Sequence, residues 1–216
     1  MNFSIDPKYI HREKAEYATD NFSTIVFQPK VYSLAHELMS YLALNTLIDI
    51  GCGSGDKLGP FIASGFNIVP VDKGPNVDLF KKRHGFSPIQ FDLEDSRGLD
   101  TAIGGLMSKI EGAKPIMVCA DVIEHMVHPD HLLSQIRRAM SVHGISLLLI
   151  STPDREGLSN LSGPPTNKSH VREWTMDEFH SFCSQYFKVL NVSYTTTVIN
   201  LDGTELNATI QVLATL

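Results

Sequence analysis

The chain has 216 residues, 43% of them hydrophobic and 19% charged, which is enough to bury one sizeable core without staples and too apolar for a disordered chain. Eighteen Lys and Arg against 24 Asp and Glu leave a formal charge of −6, which excludes gripping long nucleic acid by charge alone, though not binding a terminus or a single nucleotide. The three cysteines, Cys52, Cys119 and Cys183, are too few and scattered for a disulfide framework or a four-cysteine zinc site and fit a reducing cytoplasm, while the N-terminus has no signal-peptide core and the longest apolar run, residues 145–150, cannot span a bilayer.

Residues 1–29 are mixed and polar, with Tyr9, Tyr17, Phe22 and Phe27 scattered through them. Leu34, Leu38 and Leu42 fall at helical spacing, so residues 31–44 are expected as a helix and 1–45 as an N-terminal helical segment. Residues 46–50 form a short apolar run ending in Gly51-Cys52-Gly53-Ser54-Gly55, a strand entering a tight turn, with a helix expected over 56–64. Strands are then expected at 66–71, 88–91, 115–120 and 144–151, with helices at 76–84, 99–110 and 129–140 between them. Residues 153–174 show little periodicity and carry Gly157, Gly163, Pro164 and Pro165. A helix over 175–186 opens on Thr175-Met176-Asp177-Glu178, a capping box. Two alternating runs, 188–199 and 206–213, flank Asp202-Gly203 and read as a hairpin.

This alternation specifies one α/β domain over 1–216, a doubly wound, Rossmann-like, mainly parallel sheet of seven strands with a C-terminal antiparallel hairpin. Ligands of such sheets sit beyond the carboxyl ends of the strands, at the switch point. The loops after residues 50, 71, 91, 120 and 150 therefore share one rim.

The glycine loop does not suit a dinucleotide. Its third glycine comes one residue early for G-x-G-x-x-G, and Asp56 puts a negative charge where pyrophosphate would bind. The run from Asp49 to Gly55 instead resembles motif I of the class I S-adenosylmethionine-dependent methyltransferases, an acidic residue followed by G-x-G-x-G. The resemblance covers about 46–152 and implies S-adenosylmethionine as cofactor and S-adenosylhomocysteine as product. It implies cofactor contacts from Asp49, Gly51, Cys52, Gly53 and Gly55. Asp72 and Lys73, at the next strand end, would meet the ribose; Asp72 lies 21 positions beyond Gly51, the spacing at which a carboxylate meets ribose hydroxyls. Asp92 and Leu93 would meet the adenine, and Ala120, Asp121 and Val122 the methionine moiety.

Two histidine clusters flank the rim. Glu124-His125 follows the fourth strand, and the Asp121–His125 run resembles that of ubiquinone-type O-methyltransferases. His125 is a candidate general base for a hydroxyl acceptor, since imidazole titrates near neutrality, and Glu124 and His170 are candidate partners. The 153–174 stretch is expected to form an acceptor lid, because long unpatterned loops are usually functional. It carries His170, with Arg172 as a candidate to orient the acceptor and Trp174 to stack on it. His170-Val171-Arg172-Glu173-Trp174-Thr175 resembles bacterial methyltransferases encoded with glycan genes. With Glu124-His125 and Ser151-Thr152-Pro153-Asp154 it also resembles the small-RNA 3′-terminal 2′-O-methyltransferases, whose pattern of carboxylates and imidazoles can bind a divalent ion. Asp121 stands where those carry a longer Glu, and Arg172 places a cation two residues from His170. The expected activity is therefore O-methylation of a sugar, glycan or small-metabolite hydroxyl, with His125 as a metal-free base and no metal ligands assigned. The alternatives are metal-dependent methylation of an RNA 3′ end or a non-catalytic cofactor-binding homologue.

Overall fold

The computed structural model describes residues 3–19, 26–95, 98–157, 162–199, 203–206 and 208–216. In chain order the elements are β1 (Val26–Phe27), α1 (Pro29–Tyr41), β2 (Thr46–Ile50), α2 (Gly59–Ala63), β3 (Asn67–Asp72), α3 (Pro75–His84) and β4 (Ile89–Gln90). They continue with α4 (Leu99–Met107), β5 (Pro115–Ala120), a 3₁₀ turn (Ile123–His125), α5 (Pro129–His143), β6 (Leu147–Pro153) and α6 (Met176–Cys183). The last four are β7 (Lys188–Thr195), β8 (Val198–Ile199), β9 (Glu205–Leu206) and β10 (Thr209–Thr215).

The main sheet has seven strands in the order β4-β3-β2-β5-β6-β10-β7. β2, β3, β4, β5 and β6 pair in parallel; β10 is antiparallel to both β6 and β7. A second sheet, β1-β8-β9, is antiparallel. The expected hairpin therefore splits between two sheets, its β7 and β10 portions in one and its β8 and β9 portions in the other. The Asp202 turn lies outside the described residues.

β2 and β5 sit mid-sheet and are buried on both faces and mainly apolar, as central parallel strands are, with Thr46 and Asp49 of β2 the polar exceptions. Successive side chains alternate between two cores. Met117 and Cys119 join a core with Leu99 and Ile103 of α4, Leu132 and Ile136 of α5 and Phe179 and Phe182 of α6. Ile116, Val118 and Ala120 join the opposite core with Val31, Ala35 and Met39 of α1 and Phe61 of α2. The order of strands reverses between β2 and β5, which brings the loops after Ile50 and Ala120 together at the switch point. Among the described residues no helix is long and apolar enough to cross a membrane.

Three expectations are corrected. The N-terminal segment is helical only over Pro29–Tyr41; residues 3–19 form turns and extended chain. The reason is non-local: Ile10, Arg12 and Glu16 donate backbone N–H groups to Ser162, Val171 and Lys168 carbonyls. α2 starts at Gly59 rather than 56, with Pro60 in its first turn, where a missing N–H costs nothing. β6 starts at Leu147 because Gly144, at φ 63°, caps α5 and Ile145 N–H turns back to the Met140 carbonyl.

Candidate active site

The glycine loop is pinned from below. Gly51 and Cys52 donate N–H groups to the Val71 carbonyl at 2.8 and 3.1 Å. Gly53 donates to Asp72 Oδ2 at 2.7 Å, and Lys73 donates to Asp72 Oδ1 at 2.7 Å. Asp72 thus ties the loop after β2 to the end of β3. Gly51 has φ +73°, and a Cβ there would stand 2.4 Å from Val122 Cγ2. The glycine is required by close packing on the chain after β5 as well as by its backbone angle. Gly55, at φ +70°, leaves room for Phe80 in the same way.

Beneath the loop Asp49 is fully buried. Its Oδ1 accepts from the Tyr32 hydroxyl at 3.0 Å and its Oδ2 has no hydrogen-bond partner. Burial pushes the Asp49 carboxyl up to about 7, against the lowering effect of Tyr32 and Lys57. At the far side of the rim Lys73 Nζ lies 2.7 Å from Asp92 Oδ1, and the Glu94 amide donates to the same oxygen. Burial tends to raise the Asp92 carboxyl, but Lys73 and Glu94 outweigh it and hold it below the usual range. Leu93, Val122, Cys52 and Ala120 turn their side chains into the cores.

The N-terminal segment reaches both flanks of this rim. Tyr17 donates its hydroxyl to the Lys73 carbonyl and lies against Gly74. Gln28 donates Nε2 to Asp121 Oδ2 at 2.6 Å, while Ser151 donates to Asp121 Oδ1 at 2.6 Å. Burial raises the Asp121 carboxyl, and these two donors oppose the rise. Both Gln28 and Asp121 hold left-handed backbone angles, φ 47° and 50°. Tyr9, named with Tyr17 at the sequence level, instead lies in the core with its hydroxyl accepting from Glu173 N–H; Phe22 falls outside the described residues.

Glu124, His125 and His170 converge. Glu124 is fully buried, Thr152 Oγ1 approaches its Oε2 at 3.4 Å, and its Oε1 has no hydrogen-bond partner. That oxygen lies 3.8 Å from His125 Nε2 and 4.0 Å from His170 Nε2, and the two imidazoles stand edge to face at 4.9 Å. One ligand atom from each of the three residues falls within 4.8 Å of the others. Burial, with Asp121 nearby, pushes the Glu124 carboxyl well above the usual range. Burial, with His170 adjacent, pushes the His125 imidazole down to about 4. The segment carrying His170 is docked onto the 3₁₀ turn: Val171 and Arg172 N–H groups both donate to the Glu124 carbonyl, at 2.8 and 3.3 Å.

Arg172 and Trp174 are not at the rim. Arg172 is buried, donates Nη1 and Nη2 to the Met126 and Val127 carbonyls at 3.2 Å, and lies over the Phe3 ring. Trp174 is fully buried, stacks on Phe182 and donates Nε1 to the Phe3 carbonyl. Neither is placed to touch an acceptor, because Phe3, about 170 positions away in sequence, takes up both. Residues that sequence reasoning did not select are Gln28, Ser151, Asn167, Ser169 and Glu173. Ser151 and Glu173 lie inside the quoted motifs but carry no spacing that marks a role; Gln28, Asn167 and Ser169 carry no sequence signal.

A glycine loop at the switch point, with an acidic residue at each neighbouring strand end, defines a Rossmann-like methyltransferase domain. The chain belongs to the methyltransferase-domain family, whose profile matches residues 10–191. It is 29% identical over 184 residues to a small RNA 2′-O-methyltransferase from Arabidopsis thaliana, a match covering 75% of this chain and 19% of that protein. The chain thus spans about a fifth of the length of this curated relative. Among solved structures it resembles the small RNA methyltransferase HEN1 at TM-score 0.59 and 19% identity, covering 92% of this chain and 27% of that one. It also resembles magnesium protoporphyrin IX methyltransferase from Synechocystis with bound S-adenosylhomocysteine, at TM-score 0.59 and 17% identity, covering 87% and 82%.

Proposed function

We propose that the protein transfers the methyl group of S-adenosylmethionine to a sugar hydroxyl, and that Glu124, His125 and His170 hold a divalent cation where that hydroxyl is received. The carrying observation is the donor set of this cluster. His125 Nδ1 faces the Ser169 carbonyl at 2.6 Å, which can only accept, so Nδ1 carries the proton and Nε2 offers a lone pair. His170 Nε2 offers a lone pair too, by the reasoning given below. Glu124 Oε1 adds a third acceptor with no donor against it. Two imidazole lone pairs and a carboxyl whose proton a cation would displace, all facing one another, fit a cation.

A free His125 base fits less well. A half-buried imidazole held down near 4 is a weak proton acceptor at neutral pH. The sequence-level preference for it rested on the Arg172 cation, and the Arg172 guanidinium is committed to the Met126 and Val127 carbonyls. A cation in the cluster would lower the pKa of a hydroxyl bound to it. The chain's own residues do the rest. Asp72 receives the ribose, Asp49, raised to about 7 by burial, ionises under the cofactor's cationic end, and Glu124 fixes the lid segment through its carbonyl. One C–S bond breaks as one C–O bond forms, the acceptor loses a proton, and S-adenosylhomocysteine leaves.

The terminal ribose of an RNA is the first acceptor to test, given the small-RNA methyltransferases among the relatives. A glycan or small metabolite hydroxyl is the second, favoured by the net charge of −6, which attracts no polyanion. Three free, buried cysteines fit a cytoplasmic setting. The test is labelled methyl transfer to an RNA with a 3′-terminal diol, to the same RNA with a 2′-deoxy terminus, and to free sugars, with EDTA and then with added Mn²⁺. Loss with EDTA and return with Mn²⁺ is expected. EDTA-insensitive turnover returns the role to His125 alone. Binding of S-adenosylhomocysteine without transfer to any acceptor marks a non-catalytic homologue.

A further inference from the structure

The tautomer of His170 follows from a chain of hydrogen bonds that begins at a backbone N–H. Ser169 N–H, which can only donate, gives its proton to Asn167 Oδ1 at 2.9 Å. This fixes which end of the Asn167 amide is oxygen. Asn167 Nδ2 therefore faces His170, at 2.9 Å from Nε2. An amide NH₂ can only donate, so Nε2 accepts. The ring proton is then on Nδ1, which stands 2.7 Å from Glu173 Oε1. Glu173 is fully buried, and its Oε2 has no hydrogen-bond partner. No described solvent-facing partner competes for the carboxylate, and a buried acceptor without a donor is costly.

We propose that Glu173 is a positioning residue: it holds His170 in the Nδ1–H form, so that the Nε2 lone pair faces Glu124 Oε1 and His125. Asn167 occupies that lone pair from the exposed side and gives it up when a cation arrives. A carboxylate behind a metal-bound imidazole fixes both its tautomer and its orientation, and loss of such a partner typically weakens metal affinity by about 10–100-fold. The inference deepens the cation reading and rests on it only for the affinity arm of the test. The tautomer arm stands alone.

The experiment is ¹⁵N NMR of the imidazole nitrogens in the cation-free protein, with His170 assigned by comparison with His170→Gln, followed by Mn²⁺ titration. The wild-type protein is expected to show a protonated Nδ1 and a bare Nε2 at His170. Glu173→Ala, made in an Asn167→Ala background because the Asn167 amide itself favours a bare Nε2, is expected to shift His170 toward the Nε2–H form relative to Asn167→Ala and to weaken Mn²⁺ binding by about 10–100-fold, with S-adenosylhomocysteine affinity unchanged. Glu173→Gln, which keeps an acceptor oxygen, is expected to retain the wild-type tautomer and most of the Mn²⁺ affinity. A bare Nδ1 in the wild-type protein, or the same tautomer in Asn167→Ala with and without Glu173→Ala, overturns the role of Glu173. The wild-type spectrum decides even where Glu173→Ala does not fold. Absence of Mn²⁺ binding by a wild-type protein with the stated tautomer overturns the cation reading and leaves the role of Glu173 standing.

Discussion

Tyr32 and Asp49 form a buried pair beneath the glycine loop, hydroxyl to carboxylate at 3.0 Å. The Asp49 carboxyl is raised to about 7 by burial, whereas the unfolded chain takes up the same proton near 4. Between these values the folded state binds the extra proton, so this group's contribution to stability rises as pH falls from above 7 toward 4. His125 works in the opposite direction, since its folded value is lowered from 6.5 to about 4 and its contribution is lost as pH falls through that window. Comparison with Asp49→Asn, which never ionises, isolates the first effect. Urea unfolding from pH 8 to 5 should show the wild-type gaining on Asp49→Asn by at most about 1.4 kcal/mol per pH unit below 7. Parallel curves would refute the buried titration. Tyr32→Phe should move the onset to higher pH, because the hydroxyl favours the charged form.

Gly51→Ala should be among the most damaging single-methyl additions in the chain. A non-glycine residue in the left-handed region costs about 1–2 kcal/mol, and the added Cβ meets Val122 Cγ2 at 2.4 Å, an overpacking that costs about 1–3 kcal/mol more. Thermal unfolding of Gly51→Ala with and without Val122→Ala separates the two. The double variant should recover the packing part and keep the backbone part. Equal stability of Gly51→Ala and wild type would show that the loop is not seated against the chain after β5.

Asp72→Ala should lose cofactor affinity by one to a few decades, since hydrogen bonds to a charged acceptor are worth roughly 1.5–3 kcal/mol each and a decade is about 1.4 kcal/mol. Asp72→Asn should lose less but not be silent. Both carboxylate oxygens already accept backbone N–H groups, from Gly53 and Lys73, and an amide can accept through only one. Calorimetric titration with S-adenosylhomocysteine measures both. Unchanged affinity in the two variants would remove Asp72 from the cofactor site.

Trp174 gives a contrast between the two positions once paired as acceptor contacts and the cluster itself. Trp174→Ala should cost about 3–5 kcal/mol in unfolding free energy, as for large buried aromatics. Trp174→Phe should keep the fold and leave the acceptor KM unchanged. A raised KM with unchanged stability in Trp174→Phe would put the indole back at the acceptor.

The parts of the fold legible in the sequence are those whose cause is local. β2 and β5 begin and end where the mainly apolar runs do, because strands buried on both faces are near-continuously apolar, with Asp49 an exception that Tyr32 meets. The capping box at Thr175 forms as its spacing requires. The rim order of Asp49, Asp72, Asp92 and Asp121 followed from strand order alone. Residues 3–19 were misread as helical in character because their backbone groups pair with 162–171, a relationship that leaves no periodicity in either segment. Arg172 and Trp174 were misplaced for the same reason: both are turned inward by Phe3. Glu173 looked like the unremarkable middle of a motif, since only the orientation of the Asn167 amide reveals which nitrogen of His170 it serves.

β10 lies between β6 and β7 in the main sheet, yet it is made after both of them and pairs along almost all of β6. During synthesis β6 therefore emerges with one edge open, apolar over Leu147 to Ile150, before β10 is made. The growing chain has to carry that edge for some sixty residues, and β1, early as it is, waits for β8 to pair. An unprotected edge of this kind invites strand addition from another chain, and such late, long-range closure slows folding. A nascent chain stalled before residue 209 should therefore be caught by chaperones or aggregate, while one extended past residue 215 closes its main sheet.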